Sequence, residues 1–366
     1  MKETKLLNIL KLFCLLLMVD ILISANLVYA RRIRPYGELK QAIMLLPKES
    51  RRLGEEVIKR LGIEEKDIVR TRLLCAEGDS SKGFVYFDYD FADAELEYDS
   101  YRGSDPLFQK RNFRYLRLGP LIFINYEAEG TSLEKIRKQL GEDFLREYGQ
   151  NIIFYTNPTQ WQPDVLDETY YPDIPLPFID RTTLVVIAHM LKNGVEGKVV
   201  ADIGAGNGIL SIVALRLGAK KIVALESDPE CIEKAEEVAY INGYVPGKDI
   251  IFFNHYIRPE DGESLGLPKD ITDRIEVVIS NTGPMYRELP LQIISSAGSW
   301  PSCQEVVITS YTYGSYGHTW LEMYKYKDLM GKNGFITTEH NLGFNLIIRT
   351  SNQVFVHAYV IYGKKP

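Results

Sequence analysis

The chain has 366 residues, 45% of them apolar, enough for about two domains around at least one large core, which excludes a disordered tail. A formal net charge of −6 excludes wrapping of nucleic acid by bulk positive charge, a mode that needs a strong basic excess. Four cysteines, Cys14, Cys75, Cys231 and Cys303, show no CxxC spacing, so they read as reduced thiols, with no metal site and no disulfide framework expected.

Leu12 to Ala30 is a mostly apolar run of bilayer-crossing length, and residues 1–30 read as a signal or anchor segment. Two readings compete. Lys2, Lys5 and Lys11 ahead of the run and the small Ala30 at its end suit a leader cleaved near Ala30 and an exported body. Arg31, Arg32 and Arg34 directly after it suit a retained membrane anchor with a cytoplasmic catalytic domain. Asp20 and Asn26 weigh against both, because an acid inside the membrane costs about 2.5–3.5 kcal/mol.

Residues 31–155 read as a small α+β domain. Gly37 to Pro47 and Glu49 to Leu61 have helical spacing, the second with Leu53, Val57 and Leu61 at steps of four and Gly62 as its stop. Ile68 to Glu77 and Gly83 to Phe91 flank Gly78-Asp79-Ser80-Ser81 and predict a hairpin. Leu116 to Tyr126 predicts one strand, Thr131-x-x-Glu134 a capping box that opens a helix to about Tyr148, and Asn151 to Tyr155 a returning strand. Residues 156–179, with five prolines, read as a linker or a loop over the next domain.

From Asp180 to the end, residues 180–366, strands and helices alternate. Leu184, Ile187, Ala188 and Leu191 mark a helix. Strands follow at Lys198 to Ile203, Lys221 to Glu226, Ile250 to Asn254, Ile275 to Ser280 and Val306 to Tyr311, with helices reaching Leu217, Asn242 and Met330. Phe335 to Glu339, Leu346 to Thr350 and Val354 to Tyr362 end the chain, the last two joined at Ser351-Asn352 as an antiparallel pair. The fold class expected is α/β, a Rossmann-like, seven-stranded, mostly parallel sheet.

The chemistry concentrates in Lys198 to Ile212, K-V-V-A-D-I-G-A-G-N-G-I-L-S-I. Gly204, Gly206 and Gly208, with Ala205 among them, let the backbone turn tightly and approach a ligand. A dinucleotide fold places its glycines as G-x-G-x-x-G around a pyrophosphate, whereas here they alternate behind an acid, Asp202, which repels phosphate and suits an ammonium. That favours S-adenosylmethionine over a nicotinamide cofactor. Glu226, with Ser227 beside it, ends the second strand where an acid can take ribose hydroxyls, while Asp228 reads as a helix cap. Asn254 after the third strand could read the adenine edge, and Arg181 could pair with the cofactor carboxylate; a turn asparagine and a solvated arginine are the alternatives. Asn281, at the end of the fourth strand, is the leading substrate-facing and catalytic candidate, a plain turn asparagine being its rival. His318 and Trp320 sit in a Gly- and Tyr-rich loop that could form a substrate lip, or simply pack.

The run A-D-I-G-A-G-N-G-I-L-S-I-V-A-L-R-L-G-A-K-K-I-V-A-L-E-S-D-P resembles the cofactor half of the ribosomal-protein lysine methyltransferase family of PrmA type, most specifically over residues 198–245. The resemblance implies a class I methyltransferase that uses S-adenosylmethionine and methylates a protein amine, with Asp202, Gly204, Gly206 and Glu226 on the cofactor and Asn281 near the acceptor amine. That family carries a G-T-G-x-H-x-T-T loop before its first helix; here only Thr182 and Thr183 match it. Protein arginine methyltransferases are similar in the same core, but they place two acids after strand four, where this chain has Asn281 and then Glu288 alone. Such transfer needs alignment more than acid and base groups. An RNA or small-molecule acceptor, and a catalytically silent cofactor-binding interaction module, are the other readings.

Overall fold

Pro47 opens the first helix, α1 (Pro47–Leu61), at a position whose N–H would have no helical partner; Glu49 accepts the Leu46 N–H, and Gly62, at φ 66°, ends the helix. The computed structural model describes residues 45–72, 76–78, 86–88, 95–99, 114–127, 131–156, 179, 181–282, 288–313, 316–348 and 353–366. The apolar run at 12–30, the helix expected before Pro47, the linker at 157–178 and the turn at Ser351-Asn352 lie outside them. Among the described residues no helix is long and apolar enough to cross a membrane.

A first sheet has the order β1-β4-β5-β6-β7, built from β1 (Ile68–Arg72), β4 (Glu95–Asp99), β5 (Tyr115–Leu118), β6 (Leu121–Asn125) and β7 (Ile152–Tyr155). The single strand expected over Leu116 to Tyr126 is a hairpin. Leu118 faces Leu121 across Gly119-Pro120, and Gly119 has φ 55°, a conformation glycine adopts freely at the first position of a two-residue turn. The helix expected to run to Tyr148 is also divided. Ser132, not Thr131, caps α2 (Leu133–Leu140) through the Lys135 N–H, and Gly141 at φ 86° separates it from α3 (Glu142–Tyr148).

Every residue of β6, Leu-Ile-Phe-Ile-Asn, is buried, which requires cover on both faces of this sheet. One face packs Ile122, Ile124 and Ile152 against Leu53, Val57, Ile136 and Leu140 of α1 and α2. A buried charged group lies on the same side, where Glu97 accepts the Tyr115 hydroxyl at 2.6 Å and Arg70 Nε at 2.6 Å and faces Arg117. Gly54 makes room for it: a β-carbon there would sit 2.7 Å from the Tyr115 hydroxyl and 2.9 Å from Glu97 Oε1. Gly54→Ala is therefore expected to cost about 1–3 kcal/mol, read as a lower urea midpoint at unchanged slope.

The other face, with Leu116, Leu118, Phe123, Ile153 and Tyr155, shares one core with α4 (Arg181–Asn193), α5 (Ile209–Arg216) and α6 (Pro229–Ile241). That sharing explains why Leu184 to Met190 and Ile209 to Leu215 are buried all round rather than along one stripe. Beneath these helices lies the second sheet, of order β10-β9-β8-β11-β12-β14-β13-β2-β3. Its strands are β8 (Val199–Ile203), β9 (Lys221–Glu226), β10 (Ile250–Asn254), β11 (Val277–Ser280), β12 (Glu305–Tyr313), β13 (Ile336–Ile348), β14 (Gln353–Lys364), β2 (Ala76–Gly78) and β3 (Tyr86–Asp88). Its far face is covered by α8 (Leu289–Ser299) and α9 (Tyr316–Lys332), with Ile293, Ile294, Tyr326 and Met330 against Ile203, Val278 and Ile308. A short helix, α7 (Lys269–Thr272), precedes β11.

The seven-stranded, mostly parallel sheet is corrected in two respects. Residues 199–364 do supply seven strands, since the two segments expected around 335–350 form one strand, β13, with a register shift between Asn341 and Phe344. The hairpin β2–β3 then adds two more, pairing at His340 and Asn341 with the edge of β13 that faces away from β14. Pairing runs parallel from β10 to β12 and antiparallel from β12 to β3. The strand expected over Ile68 to Glu77 is thus shared between the two sheets.

Candidate cofactor site

The site lies at the carboxyl ends of β8, β9 and β11, where β8 passes into the glycine loop. Gly204, Gly206 and Gly208 have φ of 74°, 55° and 76°, conformations that a side-chain-bearing residue resists. The loop is pinned at its base, with the Gly204 and Ala205 N–H groups donating to the Leu225 carbonyl at 2.8 and 3.0 Å. A β-carbon on Gly204 would overlap the Thr282 methyl, and one on Gly208 would come within 3.1 Å of Ala235 Cβ.

Asp202, the penultimate residue of β8, lies beneath the loop with no exposed surface. Its Oδ2 accepts the Ser211 hydroxyl at 2.6 Å, while Oδ1 has no hydrogen-bond partner. Burial, with a further push from the nearby Glu226 charge and only partial relief from Ser211, raises this carboxyl to about 7. An unpaired buried carboxylate oxygen is costly in the empty fold and suits a cationic donor.

Glu226 closes the other side. Its Oε2 accepts the Gly206 N–H at 2.8 Å, and its Oε1 accepts the N–H groups of Ser227 and Asp228 at 2.8 and 3.0 Å and the Ser227 hydroxyl at 3.3 Å. Oε2 keeps one lone pair for a further donor. Asp228 caps α6 through the Glu230 N–H, as its position predicts. Asn254 is exposed and spends its amide N–H groups on the carbonyls of Glu226 and Ser227, at 3.2 and 3.0 Å, so it fastens β10 to β9.

Asn281 follows β11 and is held by three hydroxyls. Its Oδ1 accepts those of Thr182 and Thr309 at 2.8 and 2.9 Å, and its Nδ2 donates to Thr183 Oγ1 at 2.7 Å. Thr182 and Thr183, the two residues shared with the family loop, thus meet Asn281 from the start of α4. Asn281, Thr282, the glycine loop, Asp202 and Glu226 come together at one sheet edge. The loop expected at His318 and Trp320 is instead the start of α9, and the side chains of Arg181, His318 and Trp320 lie outside the described residues. Glu288 is exposed at the start of α8.

Three partners were not singled out from the sequence: Ser211, Asn207 and Thr309. Ser211 carried a readable signal, as a lone hydroxyl in the apolar run I-L-S-I-V-A-L nine residues after a buried acid. Thr309 carried none, because it reaches Asn281 only through the pairing of β11 with β12. Cys231 and Cys303 are free thiols, and burial pushes Cys303 up to about 12, which keeps it protonated and inert.

Residues 180–282 match the family model described as ribosomal protein L11 methyltransferase (PrmA). The ribosomal protein L11 methyltransferase of Enterobacter sp. (strain 638) is 36% identical over 100 residues, 26% of this chain and 29% of that one. That of Shigella sonnei (strain Ss046) is 32% identical over 114 residues, 30% of this chain and 34% of its own. The chain therefore spans about a third of the length of these curated relatives. Among solved structures, a ribosomal protein L11 methylase from Lactobacillus delbrueckii subsp. bulgaricus aligns with TM-score 0.38 and 19% identity, covering 67% of this chain and 94% of its own. The precorrin-6y C5,15-methyltransferase of Geobacter metallireducens GS-15 aligns with TM-score 0.37 and 17% identity, covering 55% and 95%. Over residues 180–282, the segment that bears the glycine loop, Glu226 and Asn281, this chain is similar to the ribosomal protein L11 methyltransferase (PrmA) family.

Proposed function

We propose that this protein is an S-adenosylmethionine-dependent methyltransferase acting on a protein amine, with residues 180–366 as its catalytic domain, 31–155 as a companion domain and 156–179 as the connection. The observation that carries the reading is the unpartnered Asp202 oxygen under a loop of left-handed glycines, with Glu226 braced on the far side. The residues fit the group. Asp202 would hold the ammonium end, directly or through water, the glycine loop would let the chain of the amino acid lie against backbone, and the free lone pair of Glu226 Oε2 would take a ribose hydroxyl.

When bound, S-adenosylmethionine supplies a methyl group already activated by its sulfonium. The chain's own contribution is alignment: β8 and β11 are adjacent and parallel, so the loop after β8 and Asn281 after β11 face the same space. The acceptor amine would shed one proton to solvent before attack, exposing its lone pair, and a second from the methylated ammonium afterwards, so no paired acid and base is needed. S-adenosylmethionine is made in the cytoplasm, so the catalytic domain is placed there.

Calorimetric titration of the full chain with S-adenosylmethionine tests the cofactor, and incubation of purified bacterial ribosomal protein L11 with radiolabelled cofactor tests the acceptor. Micromolar affinity is expected, weakened about tenfold or more in Glu226→Ala, the scale of one charge-assisted hydrogen bond. A folded wild-type protein that gives no heat would end this reading.

A further inference from the structure

The glycine loop carries one side chain longer than a methyl, that of Asn207, and it is 1% exposed. Both ends of its amide are used within the protein. Oδ1 accepts the Ile209 N–H at 3.3 Å, which starts α5, while Nδ2 donates to the Thr156 carbonyl at 2.8 Å. Thr156 directly follows β7, a strand of the first sheet and not of the one that bears the loop. It is itself anchored, since its hydroxyl donates to Glu127, and Glu127 pairs with Lys234 of α6 at 3.3 Å. Nearby, the Tyr126 hydroxyl donates to Glu237 at 2.8 Å, and Asn242 both accepts the Phe154 N–H at 3.0 Å and donates to its carbonyl at 2.7 Å. The end of β7 is therefore stitched to α6 on one side and to the glycine loop on the other.

We infer that Asn207 is a positioning residue through which the first sheet sets the conformation of the glycine loop, so that cofactor binding and the order of residues 152–156 are coupled. The inference rests on the proposed cofactor reading and deepens it. The loop backbone at 207 cannot shift without breaking a buried hydrogen bond of the Asn207 amide, which costs about 1–3 kcal/mol once its partners are left unsatisfied. Coupling is reciprocal: whatever stiffens the loop stiffens the strand end that holds it.

Hydrogen exchange read by mass spectrometry on the full chain, with and without saturating S-adenosylmethionine, tests this. In the wild type, exchange is expected to slow both at 203–210 and at 152–156. In Asn207→Ser, which keeps a hydroxyl for the Ile209 N–H but is too short for the Thr156 carbonyl, the slowing should persist at 203–210, vanish at 152–156, and accompany about tenfold weaker binding, as expected for one lost buried hydrogen bond. Slowing confined to 203–210 in the wild type, or a variant that retains both effects, overturns the coupling. A wild type that binds no cofactor would sink the methyltransferase reading alone. The latch is then decided without ligand: Asn207→Ser must speed exchange at 152–156 together with 203–210, and a change confined to 203–210 overturns it.

Discussion

Replacing Asp202 with asparagine is expected to abolish S-adenosylmethionine binding while making the empty protein harder to unfold at pH 8. The buried carboxyl, raised to about 7 from an ordinary value near 3.8, holds a proton in the folded state that the unfolded chain releases. Between about pH 4 and pH 7 the wild type therefore loses stability as pH rises, because the folded state binds more protons than the unfolded one. Above that window the full penalty of a buried carboxylate is present. Asparagine has no such titration, so the difference in urea midpoint between variant and wild type should grow from pH 4 to pH 7 and then level off. The same logic makes cofactor affinity in the wild type rise with pH up to 7, with proton uptake by the buffer during titration below it. An Asp202→Asn protein that binds as tightly as the wild type, or a midpoint difference flat across pH, would refute this account. A group that weakens the empty fold yet holds the ligand is the usual mark of a site kept for function.

Gly204→Ala should be strongly damaging for a change of a single methyl. Its β-carbon would collide with the Thr282 methyl, and its backbone at φ 74° resists any side chain. The first effect is a packing conflict of about 1–3 kcal/mol, the second a conformational cost of about 1–2 kcal/mol. They can be separated. Gly204→Ala combined with Thr282→Ser removes the methyl in the way and should recover the packing part while leaving the backbone part, as measured by urea denaturation of all four proteins in a double-mutant cycle. Strict additivity of the two substitutions would show that Gly204 and Thr282 do not touch, and the approach of the β8 and β11 loops would have to be redrawn.

Much of this candidate site is legible in the sequence. The alternating glycines, the acid ahead of them and the acid ending the next strand are local features, and local spacing within a strand, turn and helix survives folding unchanged. The place of Asn281 at the end of a strand is legible as well, but its three threonine partners come from α4 and β12 and are brought together only by the fold. Asn254 shows the limit from the other side. On sequence its side chain is at the right edge to read a ligand; that its Nδ2 also tethers two strands has no signal in the spacing. The largest departure, the hairpin at 76–88 joining the second sheet, leaves no trace in spacing, because an edge strand is chosen by which edge is open. Leu184 to Met190 is apolar but for His189, yet helical spacing alone does not distinguish one covered face from two.

That double covering has a consequence for how the chain is made. The first sheet is complete once Tyr155 has been synthesised, yet the face bearing Leu116, Leu118, Phe123 and Ile153 finds its cover only when α4, α5 and α6 emerge, up to Ile241. At 5–20 residues per second that interval is on the order of ten seconds. During it a wide apolar surface stands open to water on the ribosome, flanked by an unpaired strand edge at β7. The nascent chain, far more than the finished protein, is then the form that calls for a chaperone, and synthesis halted between residues 155 and 241 should yield aggregation where completed synthesis yields soluble protein.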